Sequence, residues 1–263
     1  MSYNTNVPNY FDSAAAAELY AKGCPDFHDA VAAQLREPLG LHENRRLENA
    51  LDVGCGTGLS TRALTSIAKC VVGVDVSPDM LTQAQATEGV VYKVGSAENL
   101  PETDETFDLI VVSSAFHWFD RARFLSEAQR VLRSGGFLVL YDIAFRAVLR
   151  EEPGFEDWVH GVHLIQYPSP PRSRWQPEAS ALPYGWVLRE PMWFERDVPF
   201  THEQLIDYLL TQSNALAVWE SGRETVDQTR AFLRQETVPF FVNNPVRHAQ
   251  FSGTVWLLQA IGK

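Results

Sequence analysis

The sequence predicts a doubly wound α/β fold built on a mostly parallel sheet. Between residues 50 and 142, segments typical of strands alternate with segments typical of helices. The strand-like segments are apolar throughout, instead of alternating apolar and polar positions. Such strands are covered on both faces, as they are where helices flank a parallel sheet. A chain of 263 residues is also long enough to bury a sizeable core.

Local signals place the elements of the first half in chain order. Ser13 is a candidate N-cap for a helix over 13–20, and a second helix over 26–36 stops before Pro38. Strands are predicted at 50–53, 70–75, 90–94, 107–113 and 137–142. The helices between them are predicted at 60–68, 78–86 and 121–132. Pro78 suits the first turn of its helix, because its fixed φ angle is already helical.

The second half has a different composition. Six prolines and several aromatic residues fall between Glu151 and Trp186, which predicts an irregular cap inserted after the fifth strand. The sheet is expected to resume at 189–198 and to close at 254–261, giving seven strands. Thr201 and Gln204 form a capping-box signature for a helix over 201–211.

A further helix is predicted at 228–235. The chain then divides into four segments. They are an N-terminal helical segment (1–46), a ligand-binding α/β core (47–145), a substrate cap (146–188) and a C-terminal completion of the sheet (189–263).

The composition indicates which partners the protein is expected to lack and in which compartment it is expected. The formal net charge of −11 repels phosphate backbones, so nucleic acid is not an expected partner. The apolar runs are too short to span a bilayer, so no membrane partner is expected. Three scattered cysteines fit neither a disulfide framework nor a zinc site. We therefore expect a cytoplasmic protein without a metal, as a monomer or homodimer.

A glycine loop follows the first predicted strand and precedes a helix. Gly54, Gly56 and Gly58 stand at every second position, where a backbone without side chains can approach a ligand closely. The dinucleotide fingerprint has its third glycine or alanine where Leu59 stands, and the Lys-Ser/Thr pair of a phosphate loop is absent. The spacing favours a nucleoside with an amino-acid tail; the alternative is a tight turn without a ligand.

Polar and small residues also follow the other predicted strands. Asp75 ends the second strand, where a carboxylate can accept hydrogen bonds from both hydroxyls of a ribose. The third strand leads into 95–101 and the fourth into 113–120. Because the carboxyl ends of parallel strands meet at one edge of a sheet, these segments are expected to border one crevice.

These segments resemble the class I S-adenosylmethionine-dependent methyltransferases. The similarity covers 51–58, 74–80, 95–101, 107–120 and 130–136, in order and in spacing. The run Ala115–Asp120 is similar to the subgroup that includes trans-aconitate methyltransferases. The resemblance is specific over residues 50–142 and implies a Rossmann-like fold with S-adenosylmethionine as cofactor and S-adenosylhomocysteine as product.

The resemblance also implies roles for individual residues. Asp52 would lie near the ammonium group of the cofactor, Asp75 would hold its ribose, and Tyr20 would reach over it. The remaining residues implied at the cofactor are Gly54, Gly56, Gly58, Val76, Met80, Ser96, Ala97, Glu98, Ser113 and Ser114. Many family members have an acid at the position of Ser96, which implies a weaker contact with adenine here.

His117 is the candidate general base, because it follows the fourth strand directly into the crevice. The alternative is a loop histidine with a structural role. Phe116 is expected in the pocket wall, whereas Trp118 and Phe119 are expected to pack under the next helix. Substrate contacts are predicted from Trp158, Tyr167 and Trp193, with His160, His163, Arg146, Arg172 and Arg174 as further candidates.

The sequence therefore predicts methyl transfer to an oxygen or nitrogen atom of a small molecule, such as an organic acid or a secondary metabolite. Two alternatives stay open at this point. One is a C-methyltransferase acting on a quinone-type precursor, and the other is a protein that binds S-adenosylmethionine without catalysis.

Overall fold

The structure is a computed structural model that describes residue 11, residues 13–171 and residues 176–261. Its strands are β1 (Leu47–Val53), β2 (Ala68–Asp75), β3 (Val90–Val94), β4 (Phe107–Ser113), β5 (Leu132–Tyr141), β6 (Ala144–Leu149), β7 (Trp186–Leu188), β8 (Met192–Thr201) and β9 (Val246–Ala260). Its helices are α1 (Ala14–Gly23), α2 (His28–Leu35), α3 (Leu59–Ala63), α4 (Pro78–Thr82), α5 (Arg121–Val131), α6 (Gly154–Trp158), α7 (Leu164–Gln166), α8 (His202–Leu210), α9 (Ser213–Glu220) and α10 (Val226–Thr237).

The strands form one mixed, mostly parallel sheet. Hydrogen-bonded neighbours follow the order β3-β2-β1-β4-β5-β9-β6, a line of seven strands, and β7 and β8 also pair with β9. The pairs among β1 to β5 are parallel, whereas β9 runs antiparallel to each of its partners. This topology confirms the predicted doubly wound fold and places the carboxyl ends of β1, β2 and β4 at one edge.

Strand β4 shows why these strands contain few polar residues. Leu109 and Val111 lie in one buried apolar cluster, and Ile110 and Val112 lie in the other. Successive side chains of a strand point to opposite faces, so both faces of β4 are covered. The first cluster includes side chains of α2 and α8, and the second includes side chains of α5.

Several elements coincide with the sequence predictions. Strands β3 and β4 have the predicted bounds. Ser13 caps α1 by accepting a hydrogen bond from the Ala16 amide at 3.2 Å. The capping box of Thr201 and Gln204 opens α8 as predicted.

Other elements differ from the predictions. Helix α4 ends at Thr82 instead of residue 86, and the Thr82 hydroxyl there donates to the Asp79 carbonyl at 2.7 Å. The predicted helix over 60–68 is shorter, because α3 passes into a 3₁₀ turn at Leu64–Ser66 and β2 begins at Ala68. The segment predicted to be irregular between Glu151 and Trp186 contains α6 and α7, and neither β6 nor α9 was predicted.

Helix α1 is fixed against α8, which sets the position of the N-terminal segment over the sheet. Gly23 packs so closely that a Cβ atom there would lie 2.3 Å from the Asp207 carbonyl oxygen. The Asp207 carboxylate, which is buried, also pairs with Lys22 at 2.9 Å and with Arg230 at 2.6 Å. Within the described ranges, no helix is both long enough and apolar enough to cross a membrane.

Candidate active site

A cavity of about 330 Å³ opens at the sheet edge where β1, β2 and β4 end. Its described lining residues come from the N-terminal segment and from the loops that follow these strands. They are Phe11, Tyr20, His28, Gly54, Cys55, Gly56, Thr57, Leu59, Ser60, Asp75, Val76, Ser77, Met80, Gly95, Ala97, Glu98, Ser113, Ser114, Ala115, Trp118 and Phe119. Cavities of this size hold small molecules or cofactors.

The glycine loop forms the floor of the cavity. Gly54 has a φ angle of +72°, and a Cβ atom there would lie 2.5 Å from the Cβ of Ala115. Only glycine can therefore bring the end of β1 this close to the end of β4. Gly56 also lines the cavity, whereas Gly58 does not and instead packs against the Tyr92 ring.

Asp75 ties the loop to the end of β2. Its carboxylate oxygens accept hydrogen bonds from the Gly56 amide at 2.8 Å and from the Ser77 amide at 2.9 Å. A carboxylate has about four lone-pair sites, so it can accept further hydrogen bonds from a ligand. The backbone contacts hold the Asp75 carboxylate at the cavity wall.

Asp52 lies beneath the loop and does not line the cavity. Its side chain is fully buried, and one carboxylate oxygen accepts hydrogen bonds from the hydroxyls of Ser60 and Thr61, both at 2.6 Å. Burial raises the pKa of Asp52 to about 6 against these two hydrogen bonds. Asp52 therefore fixes the start of α3, and Ser60 is the member of this group that reaches the cavity.

Only some of the cofactor residues implied after β2 and β3 line the cavity. Val76, Met80, Ala97 and Glu98 line it, whereas Ser96 does not. Ser96 donates a hydrogen bond to the Glu98 carboxylate. The other oxygen of Glu98 accepts from the Asp120 amide at 2.8 Å, which joins the loops after β3 and β4.

The loop after β4 presents different side chains from those predicted. Ser113 and Ser114 line the cavity, as do Trp118 and Phe119, but Phe116 and His117 do not. Residues Phe116–Trp118 form a 3₁₀ turn, in which residues three apart share a face. Ala115 and Trp118 therefore face the cavity.

The same turn directs the side chains of Phe116 and His117 away from the cavity. The His117 ring packs against the Trp118 ring with centroids 4.7 Å apart. Phe116 is buried against Phe124 at 5.8 Å, and the Arg121 guanidinium lies 5.6 Å from its ring centroid. Base catalysis by His117 stays a prediction that this geometry does not favour.

The N-terminal segment covers the cavity. Tyr20 of α1 lines it as expected, and its ring contacts the Phe11 ring edge-on with centroids 5.7 Å apart. The adjacent Cys24 thiol and burial raise the pKa of Tyr20 well above its ordinary value, so its hydroxyl is protonated at neutral pH.

Sequence reasoning missed His28. This residue opens α2, lines the cavity, and has its Nδ1 atom 2.8 Å from the Tyr141 hydroxyl. Only its place in a helix was visible in the sequence. Its Tyr141 partner stands 113 positions away, so no local pattern could indicate the pair.

No described residue after Phe119 lines the cavity, so the described cap candidates lie elsewhere. Trp158 packs on Phe155 and Phe240, with ring centroids 5.3 and 6.2 Å away. Tyr167 is fully buried, and its hydroxyl donates to Glu224 at 2.9 Å.

Two other described candidates, Trp193 and Arg146, do not line the cavity either. Trp193 is 57% exposed on β8. Arg146 is exposed on β6, and Arg172 and Arg174 lie outside the described residues. The described aromatic candidates Trp158, Tyr167 and Trp193 thus contact neighbouring side chains or solvent.

Buried histidines of this fold make its stability depend on pH. Burial lowers the pKa of His163 to about 4, and its unfolded value is near 6.5. Between these values the unfolded chain binds more protons, so the free energy of unfolding falls as the pH falls from 6.5 towards 4. His163→Phe should therefore reduce the loss measured by urea unfolding between pH 7 and pH 4.5 by about 2 kcal/mol.

The exposed His160 supplies the control, because His160→Phe changes the same segment at a solvent position. Asp52 acts in the opposite direction to His163. Because its pKa is raised in the folded state, the free energy of unfolding gains a contribution from Asp52 as the pH falls through about 6. An equal loss of stability in wild type and His163→Phe would contradict the assignment of His163 as a buried neutral group.

The cavity fits the cofactor that the resemblance implies. The glycine floor, the carboxylate of Asp75 and the apolar side chain of Met80 meet in one enclosure. The glycine floor leaves room for an amino-acid tail, the Asp75 carboxylate can accept from a sugar with two hydroxyls, and Met80 can pack against a base. In the described part of the chain, no cluster of three or more His, Cys, Asp or Glu side chains could hold a metal ion.

Comparison with known proteins agrees with this geometry. Residues 51–140 match the family model described as a methyltransferase domain. A protein assigned as a methyltransferase in Dictyostelium discoideum is 27% identical over 185 residues, which are 70% of this chain and 68% of the relative. An uncharacterized methyltransferase of Mycobacterium tuberculosis is 43% identical over 91 residues, 34% of this chain and 37% of the relative.

The chain thus spans about two thirds of the first relative and little more than a third of the second. A solved structure assigned as a type II methyltransferase from Anaeromyxobacter dehalogenans shares the fold. It has a TM-score of 0.58 and 22% identity, and the match covers 87% of this chain and 95% of that one. Over residues 51–140 the chain thus matches a methyltransferase domain, its fold is that of a solved methyltransferase structure, and its cavity fits the S-adenosylmethionine that the resemblance implies.

Proposed function

We propose that this protein transfers a methyl group from S-adenosylmethionine to an oxygen or nitrogen atom of a small molecule. The observation that carries the proposal is the enclosure of the cavity. Phe11, Tyr20 and His28 cover a space of about 330 Å³ whose floor is the glycine loop. A cavity of this size favours a small acceptor over a folded macromolecule.

In this proposal the chain mainly binds and orients the reactants. Bound S-adenosylmethionine supplies an activated methyl group, so the protein has to align the acceptor atom with it. Alignment of two reactants alone contributes up to roughly 7–11 kcal/mol to lowering a barrier. The glycine loop, Asp75 and Met80 hold the cofactor, and Ser113, Trp118 and Phe119 border the space next to it.

We also propose that the acceptor is not a nucleic acid and that the protein works in the cytoplasm. The net charge of −11 disfavours a nucleic-acid acceptor. The three cysteines are free, and the exposed Cys70 suits a reducing compartment such as the cytoplasm. The similarity of Ala115–Asp120 to trans-aconitate methyltransferases, which suggests an organic acid as acceptor, stays a prediction.

Transfer of labelled methyl groups into a fractionated cell extract tests the proposal. S-adenosylmethionine labelled in the methyl group is incubated with the enzyme and with extract separated by ultrafiltration, and Gly54→Ala, which is expected not to bind the cofactor, serves as the inactive control. We expect label only in the low-mass fraction. Label in protein or nucleic acid would contradict a small-molecule acceptor, and cofactor binding without any transfer would favour a binding protein instead.

A further inference from the structure

His28 is a polar group inside the cavity that no cofactor role requires. The side chain is 6% exposed, and its ring lines the cavity. Its Nδ1 atom lies 2.8 Å from the Tyr141 hydroxyl, which is itself buried at the end of β5. Its Nε2 atom forms no hydrogen bond with any residue that the structure describes. The Tyr141 contact therefore fixes one ring nitrogen and leaves the other available to a ligand.

The surroundings keep this pair uncharged. Burial lowers the pKa of His28 to about 4; Asp29 opposes this shift, and Arg62 adds to it. Burial also raises the pKa of Tyr141 far above its ordinary value. A neutral imidazole has one nitrogen that donates and one that accepts, and the Tyr141 hydroxyl can take either role towards Nδ1.

The acidic lining of the cavity restricts which ligand groups can bind next to Nε2 of His28. Asp75 and Glu98 line the cavity, and the described lining residues include no lysine or arginine. Arg62 lies nearby but is outside the lining, where it pairs with Asp26 at 3.9 Å and donates to the Thr57 carbonyl at 3.4 Å. Residues 1–12 contain no lysine or arginine in their sequence. The described lining residues therefore offer a buried carboxylate no cationic side chain, and only the positive charge of the bound cofactor would offset the cost of burying it.

We propose that the acceptor atom is a hydroxyl or amine that donates a hydrogen bond to Nε2 of His28, and that carboxylates are rejected. In that tautomer Nδ1–H of His28 donates to the Tyr141 hydroxyl, so Tyr141 is the positioning residue that accepts this hydrogen bond. The inference rests on the proposed function, since it specifies the acceptor for that reaction. It departs from the organic-acid acceptor that the resemblance suggests.

The tautomer of His28 tests the proposal without any ligand. Nitrogen-15 NMR of the full-length protein with labelled histidine, assigned by His28→Gln, should show a neutral ring at pH 7 with the proton on Nδ1. Tyr141→Phe should reduce that preference. A proton on Nε2 would overturn the proposal, because the ring would then donate to an acceptor such as a carboxylate. This result is independent of whether the protein transfers methyl groups.

Binding of matched probes tests the selectivity. Phenol and benzoate share a ring and differ in the group offered to His28, so each is titrated into protein saturated with S-adenosylhomocysteine. We expect phenol to bind at least roughly tenfold more tightly than benzoate, the scale of one hydrogen bond. His28→Phe should remove that advantage, and His28→Gln, whose amide oxygen can still accept, should retain part of it.

The exposed His42 provides the matched control, since His42→Phe should leave both probe affinities unchanged. The affinity for S-adenosylhomocysteine should be the same in all variants. Benzoate binding as tightly as phenol, or a phenol advantage that survives in His28→Phe, would overturn the inference. Failure of S-adenosylhomocysteine to bind the wild type would instead refute the proposed function.

Discussion

Gly54→Ala is expected to abolish measurable binding of S-adenosylhomocysteine and to lower the free energy of unfolding by about 2–5 kcal/mol. A non-glycine residue at its φ angle of +72° costs about 1–2 kcal/mol. The added Cβ would lie 2.5 Å from the Cβ of Ala115, which forces a backbone shift costing a further 1–3 kcal/mol or so. Because the shift separates the ends of β1 and β4, it deforms the cavity floor. Calorimetry and urea unfolding measure the two effects.

Gly135 provides the control for backbone strain alone. Its φ angle is +81°, and no atom lies within 4 Å of its would-be Cβ. Gly135→Ala should therefore cost only about 1 kcal/mol of stability and leave binding intact. Adding Ala115→Gly to Gly54→Ala removes one of the two clashing carbons and should restore part of the stability. Wild-type affinity in Gly54→Ala would contradict the assignment of this loop as the cofactor floor.

Asp75→Ala is expected to weaken binding of S-adenosylhomocysteine by about 1.5–3 kcal/mol, or roughly 10- to 150-fold. The variant loses the carboxylate that faces the cavity together with its hydrogen bonds to the amides of Gly56 and Ser77. Asp79→Ala makes the same change of charge in the first turn of α4 and outside the cavity lining, so its affinity should match the wild type. Equal affinities for Asp75→Ala and Asp79→Ala would show that Asp75 does not hold the ribose.

The regular part of the fold could be predicted because its signals are local. Strand β4 is an unbroken apolar run that both faces of the sheet bury, and the capping box at Thr201 lies within four residues. Helix α9 and strand β6 could not be predicted in the same way. Strand β6 includes Ala147 at a φ angle of +60°, and its register shifts between Phe145 and Leu149, so its pattern is irregular.

The position of the cavity was predictable because strand ends must converge at one edge of a parallel sheet. The identity of several lining side chains was not, because it depends on tertiary packing. Trp118 faces the cavity instead of His117 because a short 3₁₀ turn follows β4. His28 reaches the cavity because α2 packs into the apolar cluster on one face of the sheet.

The predicted substrate cap shows how composition can suggest a site that the fold does not form. An aromatic-rich segment after the fifth strand suggested a substrate pocket, but aromatic side chains also form ordinary cores. Trp158 and Tyr167 pack against rings of the C-terminal region, namely Phe240 and Phe232. Composition alone cannot distinguish these two uses, since both bury large apolar surfaces.

A crystal structure of the protein grown with S-adenosylhomocysteine tests the central claim most directly. The account predicts the ligand in the cavity at the ends of β1, β2 and β4, with its ribose hydroxyls on the Asp75 carboxylate and its amino-acid tail over Gly54 and Gly56. Density for the ligand at another place, or a ribose that makes no contact with Asp75, would contradict it.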